Sequence, residues 1–255
     1  MGVVNVTPDS FSDGGRFFSP EKAIAQARRL AEEGADILDI GGESTRPGAA
    51  PVSEDQELFR VMPVLEKIAD LCVSVDTRRP RVMREALKAG ASMINDVDAL
   101  TAPEAMEAVG KASCAVCLMH KKGEPATMQR DPHYDDVVSE VKSFLDQRIE
   151  AARAAGIARE RIVVDPGFGF GKTAAHNLTL LKNLSRLSEF PLLVGLSRKS
   201  TLGKITGRPV DERLAGSLAM ALLALQAGAT ILRVHDVKET KDVVAVWSSF
   251  VEASN

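Results

Sequence analysis

Eight short apolar runs alternate with eight longer stretches of helical periodicity along the 255 residues, and no other feature constrains the fold as tightly. The runs predict strands over 3–6, 36–40, 72–76, 93–97, 115–120, 161–165, 192–196 and 231–235. The stretches between them predict helices over about 20–33, 54–69, 80–89, 103–111, 136–155, 176–185, 211–227 and 238–251. Strands separated by helices pair in parallel. Eight such units predict an α/β chain folded as a single (β/α)8 TIM barrel covering residues 1–255, with a doubly wound open sheet as the rival. Glu33-Gly34-Ala35, Ala89-Gly90-Ala91 and Ala227-Gly228-Ala229 each close a helical pattern just before a strand, where glycine can take the left-handed cap.

Polar residues gather at the C-terminal end of these strands: Asn5; Glu43, Ser44, Thr45 and Arg46; Asp76; Asn95 and Asp96; His120; Asp165; Ser197, Arg198 and Lys199; Arg233 and His235. A single strand-end aspartate is commonly a turn or a helix cap. Eight ends in phase converge on one barrel mouth, the place where such folds carry chemistry. Arg233 and His235 share a strand face and make a candidate anion clamp, unless Arg233 pairs with a neighbouring carboxylate. The run from Asp165 to Thr173 is glycine-rich, but Pro166 stands where a phosphate-binding loop needs its first glycine. Its glycines instead allow tight backbone turns, with Asp165 aimed at the mouth or capping a helix and Phe170 as an apolar wall. Asn5 with Asp13 or Asp9 can offer oxygens to a hard cation.

The net charge of -3 gives no global attraction to nucleic acid or acidic membranes. No apolar run approaches the length of a membrane span, and no leader pattern opens the chain, so a cytoplasmic protein is expected. Cys114 and Cys117 form a CxxC string, but within the apolar run Ala112 to Met119 they would lie on opposite faces of a strand, which favours buried thiols over a metal or redox pair. The helix over 211–227 has no charge between Leu214 and Leu225. Leu214, Leu218, Leu222 and Leu225 are expected to face the barrel, leaving Met220 and Leu223 for a second apolar surface and hence a homodimer.

Five strings resemble the dihydropteroate synthase family: Asn5 to Gly15, Gly42-Glu43-Ser44-Thr45-Arg46-Pro47-Gly48, Asp165 to Lys172, Ser197-Arg198-Lys199-Ser200, and Arg233-Val234-His235-Asp236. The likeness runs through the chain in order. It implies condensation of 6-hydroxymethyl-7,8-dihydropterin pyrophosphate with p-aminobenzoate, a transferase step of folate biosynthesis and a sulfonamide target. It implies that Asp76, Asn95, Asp165 and Lys199 hold the pterin and that Asn5, Arg233 and His235 hold the pyrophosphate. Mg2+ would lie at Asn5 and Asp13, and Phe11, Thr45, Arg46, Pro47, Phe170 and Ser200 would shape the aminobenzoate pocket. Asn5, Lys199, Arg233 and His235 would be the catalytic groups. The resemblance also implies a homodimer, long mobile loops after strands one and two, and a segment before the first strand that closes the barrel bottom. Gly14, Gly15 and Gly48 leave those loops too free to hold a pocket unaided, so the aminobenzoate site is expected to form only once pyrophosphate and Mg2+ are bound. A pterin-dependent methyltransferase and a catalytically silent pterin-binding paralogue remain the alternatives.

Overall fold

A computed structural model describes residues 1–7, 19–44, 52–124, 127–187 and 189–253. The strands are β1 (Gly2–Asn5), β2 (Leu38–Gly41), β3 (Val73–Asp76), β4 (Met93–Asp96), β5 (Ala115–Met119), β6 (Ile162–Asp165), β7 (Leu193–Val194) and β8 (Ile231–Leu232). Pairing follows chain order in parallel from β1 to β6, and β7 pairs with β8. Two single bridges join these sets, Val164 to Leu192 and Gly2 to Val234. The second is secured by Val3 N donating to Val234 O at 3.0 Å and Val234 N to Met1 O at 2.9 Å. The ring is therefore closed, which removes the open-sheet alternative: a doubly wound sheet reverses its strand order and keeps two edges.

The helices among the described residues are α1 (Pro20–Glu32), α2 (Glu54–Leu65), α3 (Pro80–Lys88), α4 (Ala105–Gly110), α5 (Val137–Ala154), α6 (Ala174–Lys182), α7 (Ser200–Thr206), α8 (Leu214–Gln226) and α9 (Val237–Glu252). α1 shows how local sequence sets them. Ser19 caps it by accepting from Lys22 N at 3.4 Å, Pro20 occupies the first turn, and Ala23, Ala27 and Leu30 bury one face at helical spacing. Full burial of a side chain the size of Leu30 stabilises by roughly 1.5–3 kcal/mol. Beyond the helix end Gly34 takes φ +97°, and Gly90 and Gly228 repeat this at +96° and +98°, as the three echoed strings suggested.

Three sequence expectations need correction. α7 has no predicted counterpart, because seven residues containing Gly203 carry no amphipathic repeat. β7 and β8 each form only two ladder residues, where 192–196 and 231–235 were expected. In α8 the barrel side is Ser217, Met220, Ala221 and Ala224, whereas Leu214 and Leu223 are exposed and Leu218, Leu222 and Leu225 half-buried. Three small residues and the unbranched Met220 make the packed face, and the leucines are displaced outward.

Two apolar bodies result. One lies between strands and helices, and the other fills the barrel interior with Met93, Cys117, Val163 and Leu193, flanked by Met1, Ala115 and Ile231. Cys114 belongs to the outer body and Cys117 to the inner one, so the CxxC pair is split across β5 as its spacing required. The inner body plugs the barrel and leaves its other end polar.

The α8 orientation makes a direct test. Ala224→Leu should overpack the barrel contact and lower unfolding free energy by ~1–3 kcal/mol, while Leu223→Ser should change the monomer by less than ~0.5 kcal/mol. Urea denaturation of both variants checks this, and equal losses would refute the assigned face.

Candidate active site

Register places the polar groups in two rungs above the apolar plug. Asn5, Gly41, Asp76 and Asn95 are successive partners across β1 to β4, and Val3, Asp39, Ser74 and Met93 form the rung one step deeper. A Cβ added at Gly41 would meet Asp76 Oδ2 at 3.8 Å and Asn5 Oδ1 at 3.9 Å, so this glycine leaves a gap between those two side chains.

Arg233 reaches into the rungs from β8. Its Nε donates to Asp39 Oδ2 at 2.6 Å and its Nη2 to Asp76 Oδ2 at 2.9 Å. The carboxylate pairing weighed for Arg233 is therefore present, and it is double. Burial pushes Asp76 up to about 7, outweighing the pull of Arg233, while Asp39 adds to the rise. His235 is tied elsewhere: Ser197 Oγ lies 3.1 Å from its Nδ1 and accepts from its backbone N–H at 3.2 Å.

Asp165 ends β6, and its Oδ1 accepts from Gly167 N at 2.7 Å. Burial raises its pKa, and Lys199 is the main opposing charge. Lys199 donates to the Phe168 carbonyl and stands 4.7 Å from the Phe170 ring centre, held down to about 8 by burial against the upward pull of Asp165. Ser200 is exposed at the start of α7.

The glycine-rich run is not a phosphate cradle. Its carbonyls collect cations, with Lys172 Nζ 2.9 Å from Gly167 O, 3.1 Å from Phe170 O and 2.9 Å from His120 Nδ1. Burial, then the Lys172 charge, pushes His120 down to about 3, so a neutral imidazole accepts from Lys172; burial holds Lys172 itself at about 7. At Gly167 φ is +67°, and a Cβ there would lie 1.8 Å from His120 O, so glycine is obligatory.

Several sequence candidates are thus brought together and others are not. Asn5, Asp76, Asn95, Asp165, Lys199 and Arg233 converge on the mouth. Asp96 turns away to accept from Asp98 N at 2.7 Å and Leu100 N at 2.8 Å, and His120 serves the glycine-rich loop. Glu43 is bound at the rim by Arg78 at 3.4 Å and Arg79 at 3.1 Å. Phe11, Asp13, Thr45, Arg46 and Pro47, with the two loops that carry them, lie outside the described residues. No group of three or more His, Cys, Asp or Glu among the described residues is arranged to hold a metal ion.

A family model described as a pterin binding enzyme matches residues 1–235. The chain is 50% identical over 258 residues to the dihydropteroate synthase of Haemophilus influenzae, spanning 99% of this chain and 94% of that one. The chain belongs to the dihydropteroate synthase family. Its fold is similar to that of the Xanthomonas albilineans synthase solved with 4-aminobenzoic acid, at TM-score 0.92 and 55% identity over 98% of this chain and 91% of that one. It is also similar to the Yersinia pestis synthase solved in a sulfonamide drug complex, at TM-score 0.93 and 48% identity over 98% and 93% of the two chains. The activity is dihydropteroate synthesis, a transferase reaction, and the methyltransferase alternative falls with this assignment.

Sequence reasoning missed Asp39, Glu57 and Lys172 as part of this synthase mouth. Asp39 left a signal, a carboxylate inside the apolar run Ile37 to Ile40 and in phase with Gly41 and Glu43. Glu57 left none, since a helical glutamate reads as solvent-facing, yet it is 1% exposed and paired with Arg79. Lys172 was noticed as part of a failed phosphate motif and as the end of the Asp165 to Lys172 string, without a role of its own.

The raised Asp76 pKa predicts a pH effect on the ligand-free synthase. The native state keeps a proton that the unfolded chain releases near pH 4, so this contribution to stability is complete below pH 4 and lost as pH rises toward 7. Asp76→Asn removes the titration, and its loss of stability between pH 5 and pH 8 should be smaller than wild type by on the order of 2 kcal/mol. Thermal melts at the two pH values test this, and parallel profiles would refute it.

Proposed function

We propose that the mouth binds the pterin pyrophosphate with its ring toward Asp165 and its anion toward the β8 end, and that residues 1–255 act as one pterin-binding barrel. The convergence of Asp76, Asn95, Asp165, Lys199 and Arg233 above one apolar plug carries this reading. Asp165 spends Oδ1 on Gly167 N, and its Oδ2 makes no hydrogen bond among the described residues. That oxygen, with Asp76 and the Asn95 carbonyl, accepts from the N–H edge of the ring, and Lys199 supplies a donor. Arg233 and His235 meet the pyrophosphate, Arg233 through the Nη1 edge that neither carboxylate occupies. The carbon–oxygen bond to pyrophosphate breaks first, leaving a methylene cation stabilised by the pterin. The aminobenzoate nitrogen then bonds to that carbon and sheds its proton to solvent or to the departing anion. One well-placed donor on the leaving group contributes on the order of 3 kcal/mol. Phe170 and Ser200, with Phe11, Thr45, Arg46 and Pro47, form the aminobenzoate pocket, and sulfonamides compete there.

The Asn5 carboxamide oxygen borders the Gly41 gap and has no hydrogen-bond partner among the described residues, which fits a hard cation. Asn5 and Asp13 would hold Mg2+, an ion that keeps most of its waters and takes phosphate oxygens. When bound, it offsets pyrophosphate charge. The three cysteines are unpaired thiols and no described helix is long and apolar enough to cross a membrane, in keeping with work in the cytoplasm.

Dihydropteroate should form, with release of pyrophosphate, when both substrates are supplied. Asp165→Ala should leave thermal stability near wild type and weaken pterin binding by at least about tenfold, the cost of removing one charged hydrogen-bond partner. Full pterin affinity in the variant would refute the assignment of Asp165.

The chain acts as a homodimer, with a second copy covering the outward apolar residues of α8 and α9. Leu223, Val246, Phe250 and Val251 are 48%, 69%, 63% and 44% exposed on these two packed helices. Large apolar side chains exposed on two packed helices make a surface that a second copy can cover. Light scattering at micromolar concentration should give twice the 27.3 kDa chain mass, and Phe250→Asp should return it to one. A monomeric wild type would overturn this.

A further inference from the structure

Asp39 has no place in the roles given above, yet it is fully buried one register step beneath Asp76 and Asn95. A carboxylate at that depth is costly unless a charge matches it and donors satisfy it. Both partners are groups of the mouth: its Oδ2 accepts from Arg233 Nε at 2.6 Å and from Asn95 Nδ2 at 3.1 Å.

The consequence for Asn95 is directional. An amide has a donor end and an acceptor end, and a carboxylate beside it admits only the donor. With Nδ2 committed to Asp39, Asn95 Oδ1 is turned elsewhere, buried and without a hydrogen-bond partner among the described residues. The consequence for Arg233 is planar. With Nε on Asp39 and Nη2 on Asp76, two carboxylates from different strands fix the guanidinium plane.

We propose that Asp39 is a positioning residue that touches neither substrate. It locks the Asn95 amide with its oxygen presented to a ring N–H, and it locks the Arg233 plane, so that ring and anion are recognised in one fixed geometry. This rests on the reading of the mouth as a pterin pyrophosphate site.

The test is a double-mutant cycle by calorimetry, using Asp39→Asn, Asn95→Ala and the double variant, with a pterin lacking pyrophosphate as the probe. Asp39→Asn should weaken this pterin by about tenfold in the wild-type background and by less than about twofold where Asn95 is already alanine, because residues acting through one another are not additive. In turnover, its KM for the pterin substrate should rise while that for aminobenzoate changes by less than about twofold. Equal losses in both backgrounds would overturn the proposal. Should Asp39→Asn not fold, Asp39→Ser with millimolar formate takes its place. Pterin affinity restored by formate supports the proposal, and affinity indifferent to formate overturns it. A wild type that binds no pterin would instead refute the reading of the site itself.

Discussion

Closure of the ring by β8 against β1 is the constraint on which the other features depend. Two short bridges, Gly2 with Val234 and Val164 with Leu192, turn a six-stranded and a two-stranded sheet into one surface without edges. Because all strands run in one direction, closure brings their C-terminal ends to a single mouth. It also sets Arg233, just past β8, against Asp39 of β2 and Asp76 of β3, residues 194 and 157 positions away in sequence. An open sheet of the same strands would leave that guanidinium and those carboxylates at distant edges.

Charge in a closed barrel has to be compensated within it. The interior below the mouth is apolar, so the buried carboxylates Asp39, Asp76 and Asp165 have Arg233 and Lys199 as their cations. Removing one partner of the Arg233–Asp39 pair costs ~3–5 kcal/mol, because the other charge is left uncompensated. The same burial lifts Asp76 to about 7 and holds Lys199 at about 8, which places both near neutrality where a binding event can shift their protonation.

The glycine-rich loop after β6 shows how backbone and side chain divide this work. Gly167, Gly169 and Gly171 all adopt positive φ, and the carbonyls this exposes bind Lys172 on one side and Lys199 on the other. A phosphate cradle would offer N–H groups instead. Gly167 also supplies the N–H that holds Asp165, so one tight turn both restrains the carboxylate and seats its counter-charge.

The alternation of runs and helices determined a parallel α/β architecture, because period and order are local properties that survive any packing, and ring closure decided for the barrel. Asn5, Asp76, Asn95, Asp165 and Arg233 were legible for the same reason: period-two phase decides which face a side chain takes. Lys199, past the end of β7, was legible through the string it shares with the family. Three outcomes had to await the tertiary structure. α8 faces the barrel with Ser217, Met220, Ala221 and Ala224, not its leucines, because the helix rotation is set by packing against the strands. Arg233 points down to two carboxylates, and Asp39 joins the site from beneath it, since both depend on which strands closure makes neighbours. Lys172 is spent on carbonyls and His120 because left-handed turns aim those groups inward. Sequence fixes the phase of each element by itself, whereas partners across the ring exist only once all eight strands are in place.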